Sequence, residues 1–140
     1  MKNLAIEYGH NLPLDPTDVV RVFDRSGIKR PTSDLPRIAR MFAAPNLLLS
    51  AWVENQLVGL CRSLTDYSYC CYLSDLAVDK KYQGFGIGRE LVKRTQAIIG
   101  EDVSLYPRPF IYSEQGGTPH QPHLTPSRSI PRTPSGLQPD

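Results

Sequence analysis

Gln83-Gly84-Phe85-Gly86-Ile87-Gly88-Arg89 sets three glycines in alternate positions between a glutamine and an arginine. Residues of these types at this spacing can hold an anion. A strand-like segment, Leu73-Ser74-Asp75-Leu76-Ala77-Val78, leads in, and an amphipathic pattern follows, so the glycines fall at a helix N-terminus. The first N–H groups of a helix lack partners within it, and the helix dipole is positive there. Glycine allows a positive φ and lets bare backbone approach phosphate oxygens. Phe85 and Ile87 are expected to pack inward and anchor the turn. Arg89 is unfavourable to the dipole alone and makes sense beside an anion. A plain strand-to-helix turn would use the same glycines. A P-loop would need Gly-Lys-Ser/Thr where this chain has Gly88-Arg89-Glu90. The dinucleotide fingerprint would place the third glycine one residue later. A nucleotide site on another fold would rest on the glycines alone.

The elements that must position this loop are legible around it. Leu4 to Tyr8 reads as a strand. Asp15 and Pro16 form an N-cap and first helical position, and Val19, Val20, Val22 and Phe23 recur at helical spacing until Ser26-Gly27. A second helix starts at Pro31-Thr32-Ser33-Asp34, with Leu35, Ile38, Met41 and Phe42 on one face. Leu47–Val53 reads as a buried strand, Glu54-Asn55-Gln56 as a hairpin turn, and Leu57–Leu64 as the returning strand. Tyr69–Val78 is the next strand. The helix opened by Gly88 carries Val92, Thr95, Ile98 and Ile99 and closes at Gly100, and Val103-Ser104-Leu105 begins a further strand. The order is β-α-α-β-β-β-α-β.

The chain has 140 residues, which implies one domain. A net charge of +2 is too small to argue for nucleic acid or an anionic membrane surface, and neither is expected as a partner. No apolar run reaches membrane-spanning length, and the N-terminus lacks a signal-peptide core. Cys61, Cys70 and Cys71 are odd in number and clustered in strands, which points to a reducing, cytoplasmic setting. No zinc-ligand spacing is present, and His120-Gln121-Pro122-His123 has no partner cluster, so no metal is expected.

The upstream strand ending in Leu76-Ala77-Val78-Asp79, the Gln-x-x-Gly-x-Gly loop and the helix resemble motif A of the GNAT superfamily, the acyl-CoA-dependent N-acyltransferases. The resemblance covers about residues 1–105, and the element order matches that family's up to its fifth strand. It implies an α+β fold with a mixed central sheet, and an N-acetyltransferase that moves an acetyl group from acetyl-CoA to a primary amine. By position, Leu76, Ala77 and Val78 would face the pantetheine, while Gln83, Gly84, Phe85, Gly86, Ile87, Gly88 and Arg89 would hold the pyrophosphate. Asp75, the one carboxylate within the central strand, is the nominal general base. Alternation places it on the face of Leu73 and Ala77, and a structural pairing with a basic neighbour competes with the catalytic role. Asp66, or a water relay, is the other route for the proton. The first two helices line the acceptor side in that family. Here they carry Arg21, Arg25, Lys29, Arg30, Arg37 and Arg40, a basic rim suited to an acidic amine, or simply solvated helix faces.

From Tyr106 to Asp140 the chain holds eight prolines and three arginines and loses apolar periodicity, the composition of a disordered tail. The family's final helix and strands, with their Tyr-x-x-x-Gly-Phe motif, are expected to be lacking. A reading-frame change near Leu105 would produce such a break. The alternative to an active enzyme is therefore a truncated or frameshifted domain that binds CoA without turnover. The exposed edge of the fifth strand would then invite a homodimer.

Overall fold

In the computed structural model, residues 4–43 and 46–107 are described. The expected proline-rich tail, His120 and His123 lie outside them, apart from Tyr106 and Pro107.

Local sequence signals set the helices. In α1 (Pro16–Ser26) the Asp15 carboxylate accepts from the Thr17 N–H at 2.9 Å, and Gly27 closes the last turn. Helix α2 spans Leu35–Ala43 and buries Ile38 and Phe42, while Leu35 stays 43% exposed rather than joining that face. Strand β1 is Glu7–His10, later than the apolar run suggested, because its pairing partners are Leu49 to Trp52. Strands β2 (Leu47–Val53) and β3 (Gln56–Thr65) are joined by a two-residue turn at Glu54 and Asn55, both at positive φ as such hairpins require. Strand β4 is Cys70–Val78, α3 is Ile87–Ile99, and β5 is Ser104–Tyr106.

The strands form one sheet in sequence order, antiparallel from β1 to β4, with β5 parallel to β4. The fold is α+β with a mixed sheet, as the resemblance implied. Helix α3 covers one face, where Ile87, Leu91, Val92 and Ile99 pack on Leu47, Leu49, Ala51 and Cys61. Helices α1 and α2 cover the other, where Val19, Val22, Phe23, Ile38 and Phe42 pack on Leu48, Leu57 and Leu60.

Two β-bulges decide which side chains face which layer. Val58 on β3 and Ser74 on β4 are extra residues with no partner opposite: Ala51 pairs with Gly59 and Trp52 with Leu57, while Arg62 pairs with Asp75 and Ser63 with Leu73. The second bulge overturns the simple alternation. Cys71 and Leu73 lie on the α3 face, but beyond Ser74 the parity reverses. Ala77 joins the α1–α2 core, and Leu76 and Val78 pack toward α3. Asp75 therefore lies opposite Leu73, not beside it.

Phe23 is fully buried, with its ring 5.8 Å from that of Phe42. Phe23→Ala should lower stability by about 3–5 kcal/mol; urea unfolding followed by circular dichroism would measure it.

Candidate active site

The sheet forks at the site. Strand β5 pairs with β4 only from Cys70 to Tyr72, and no strand of the described residues pairs with that edge of β4 from Leu73 to Val78. The Asp79 N–H donates toward β3, to the Val58 carbonyl at 2.9 Å. Successive strand residues direct their backbone groups to alternate sides, so Ala77 also addresses β3. Leu76 and Val78 address the open edge.

That edge runs straight into the glycine loop. Asp79, nearly buried, caps a short 3₁₀ turn (Lys80–Tyr82) by accepting from the Lys81 N–H at 2.9 Å. Its other oxygen lies 3.5 Å from Arg25 of α1. The Gln83 amide donates to the Val78 carbonyl at 2.9 Å, and its backbone N–H to Lys80 at 3.3 Å. Gln83 thus clamps the loop from within. Gly84 and Gly86 have φ of +90° and +79°, a region costly to other residues. Gly86 is the N-cap of α3 and offers no capping side chain, and the first helical bond runs from the Glu90 N–H to Gly86 at 3.0 Å. The N–H groups of Ile87 and Gly88 therefore have no acceptor in their own helix. Ile87 is buried, and the absent side chain of Gly59 leaves its place: a Cβ there would come within 3.2 Å of Ile87 Cγ2. Phe85 is 51% exposed and does not anchor the turn as expected. Arg89 is exposed in the first turn of α3.

Gly88 differs from its neighbours. It has no positive φ, and a Cβ would meet only Val78 Cγ2 at 3.8 Å. Among the described residues, nothing demands glycine there. A phosphate set against the helix end would.

Asp75 has no exposed surface. One oxygen accepts from Arg30 Nε and the other from Arg62 Nε, each at 2.5 Å. Both guanidiniums also hold the bulge, Arg30 through the Ser74 carbonyl at 3.0 Å and Arg62 through Ser74 Oγ at 3.1 Å. Arg62 lies over the Phe42 ring at 5.4 Å and Arg30 over Phe23 at 6.0 Å. Of the basic rim, Arg21 pairs with Asp18, Arg25 with Asp79 and Arg30 with Asp75. Asp66 accepts from the N–H groups of Tyr69, Ser68 and Cys70 at 2.8, 2.9 and 3.1 Å, which lowers its carboxyl to about 2. Cys61, Cys70 and Cys71 are free thiols; burial raises Cys61 to about 11. Among the described residues, no three His, Cys, Asp or Glu converge on a metal position, and no helix is long and apolar enough to cross a membrane.

A split strand pair running into a glycine-rich helix start defines a class of fold, and comparison with known proteins identifies it. The profile of the acetyltransferase (GNAT) family matches residues 18–105, and the chain belongs to that family. The chloroplastic GCN5-related N-acetyltransferase 2 of Arabidopsis thaliana is 33% identical over 51 residues, which are 36% of this chain and 20% of the relative. The matched region thus spans about a fifth of that relative's length. A Staphylococcus aureus protein of unknown function, termed a probable acetyltransferase, superposes with a TM-score of 0.69 at 18% identity, covering 84% of this chain and 93% of its own. The GNAT family N-acetyltransferase YhbS of Escherichia coli, solved in complex with CoA, gives 0.60 at 22% identity, covering 83% and 70%.

Two separate pairings escaped the sequence: Arg30 and Arg62 with Asp75, and Arg25 with Asp79. Only Asp79, at the end of Leu-Ala-Val-Asp, carried a local signal.

Two predictions follow from these carboxylates. Asp75→Ala leaves two guanidiniums without their counter-charge and should cost about 3 kcal/mol or more, read by urea unfolding. A residue serving only as a base would leave stability unchanged. The folded pKa of Asp66 lies below the unfolded value of about 3.9, so its stabilisation is complete above that value and fades as pH falls through about 2. Asp66→Asn should flatten that part of the acid limb in melting curves taken between about pH 2 and 4.

Proposed function

We propose that the chain binds acetyl-CoA and transfers its acetyl group to a primary amine, with residues 1–105 as the acyltransferase domain. The observation that carries this reading is Gly88, a glycine that neither its backbone nor packing among the described residues requires, beyond an edge of β4 that no described strand pairs. The pyrophosphate would lie against the turn from Gly84 to Arg89, with the N–H groups of Ile87 and Gly88 as donors. Gln83 and Phe85 would act differently: Gln83 fixes the loop, and exposed Phe85 lies beside the ligand. The pantetheine would lie along β4 as an added strand does, facing the backbone of Leu76 and Val78. Ala77 contributes by closing the sheet behind them. The bound thioester supplies an activated acyl carbonyl. This chain's residues position it at the fork and bring the amine within reach. Three free cysteines support a reducing, cytoplasmic setting.

One set of observations favours a second reading, CoA binding without turnover. Both carboxylates considered as bases are engaged, Asp75 by two guanidiniums and Asp66 by three N–H groups. Thiol release with a panel of amines separates the two readings once binding is established.

Gly88→Ala tests the shared claim. Alanine favours a helix by up to about 1 kcal/mol over glycine, so the variant should melt no lower than the parent. Its acetyl-CoA affinity should fall at least tenfold in calorimetry. An unchanged affinity would remove the pyrophosphate from this loop.

A further inference from the structure

Leu64, Tyr72 and Tyr106 form a row across three strands that no helix of the described residues covers. Leu64 pairs with Tyr72, and Tyr72 with Tyr106. Their neighbours Cys71 and Leu105 point toward α3, so the row belongs to the opposite face, where α1 and α2 end short of it. The three residues are 48%, 56% and 36% exposed. Two of them, Tyr72 and Tyr106, are the last paired residues before β4 and β5 part. Two residues from the row along β3 and β4 lie Arg62 and Ser74, with Arg30 and Asp75 behind. In this cluster two guanidiniums answer one carboxylate, which leaves an excess positive charge beside an aromatic surface.

We propose that this row and the two arginines form the acceptor site, and that its ligand is a primary amine bearing both an aromatic ring and a carboxylate. The proposal rests on the acetyl-transfer reading, which puts the reacting carbonyl at the fork. A ring lying on Tyr72 and Tyr106 gains offset stacking and sets the ligand over the point where the strands separate. A carboxylate turned toward Arg62 and Arg30 meets the excess charge at a partly desolvated position, where a charge-assisted hydrogen bond is strongest. The amine between the two groups then faces the open edge of β4. An amine with only one of these groups uses half of the surface. The charge excess also selects against polyamines, which would bring further cations to two guanidiniums.

The test is calorimetry on the full chain, with and without saturating CoA, using four probes. Phenylalanine carries ring and carboxylate, phenethylamine the ring alone, alanine the carboxylate alone, and ethylamine neither. Phenylalanine is expected to bind at least tenfold more tightly than any of the others. Tyr72→Ala, at an exposed position, should erase the advantage of phenylalanine over alanine while leaving CoA affinity unchanged. Leu64→Ala should reduce the same advantage in part. Arg30→Gln should erase the advantage of phenylalanine over phenethylamine. Equal affinities for the four probes, or a ring preference that Tyr72→Ala does not move, would overturn the proposal. So would the absence of any amine binding to a chain that binds CoA, as when a second copy or the residues beyond Pro107 occupy this face. Loss of CoA binding with the amine preferences intact would instead overturn the acetyl-CoA reading and leave the acceptor surface standing.

Discussion

A carboxylate sealed in the middle of the sheet is the constraint around which this molecule is arranged. Asp75 has no contact with solvent, and an unpaired charge there would cost several kcal/mol. Arg62 answers it from the adjacent strand, and Arg30 from the connection between α1 and α2. The rings of Phe23 and Phe42 lie against the two guanidiniums and close the arrangement on the helical side. Desolvating three charges is expensive, so the cluster is a weak source of net stability. What it provides is position. Arg30 cannot reach Asp75 unless the α1–α2 connection lies over β4, and the helical layer is thereby fixed to the strand that carries the site.

The same cluster fixes the bulge. Arg30 and Arg62 both bond to Ser74, the residue without a partner on β3. Without the bulge at this point, regular alternation would put Asp75 on the face of Leu73, inside the apolar layer under α3. With it, the carboxylate turns toward the arginines, while Leu76 and Val78 turn their side chains to that apolar layer. The open edge of β4 is thus held by packing on one face and by charge on the other. A cofactor arm laid along it would meet a strand that cannot slip, since slippage would bury Asp75 among hydrocarbon.

Much of this was legible in the sequence, and the exceptions share a cause. Helix α1 could be read because Asp15, Pro16 and Gly27 act within a few residues of themselves, and α3 because Gly86 and Gly100 bound a periodic segment. The glycine loop was found for the same reason. The bulges at Val58 and Ser74 could not be read, because one added residue leaves no compositional mark and is set by pairing across strands. Strand β1 runs to His10 because Asn11 continues its line, exchanging bonds with Leu48. The partners of Asp75 lie 45 and 13 residues away, beyond any local pattern. Phe85 was misread because alternation between glycines suggests an inward side chain, whereas the turn at Gly84 and Gly86 directs it to solvent.

Binding and turnover make different demands on such a chain. A pyrophosphate site needs backbone donors and a glycine where the ligand approaches, and both are local properties of the loop. Turnover needs a neutral amine. A dedicated base works best with a pKa near neutrality, and here Asp66 is held near 2 and Asp75 is enclosed. Arg30 and Arg62 carry one positive charge more than Asp75 balances. A substrate carboxylate set against them would cancel that surplus, so the charge that would recognise an acceptor cannot also be the charge that frees its amine of a proton. Holding amine and thioester within reach of each other is then the larger lever on the rate.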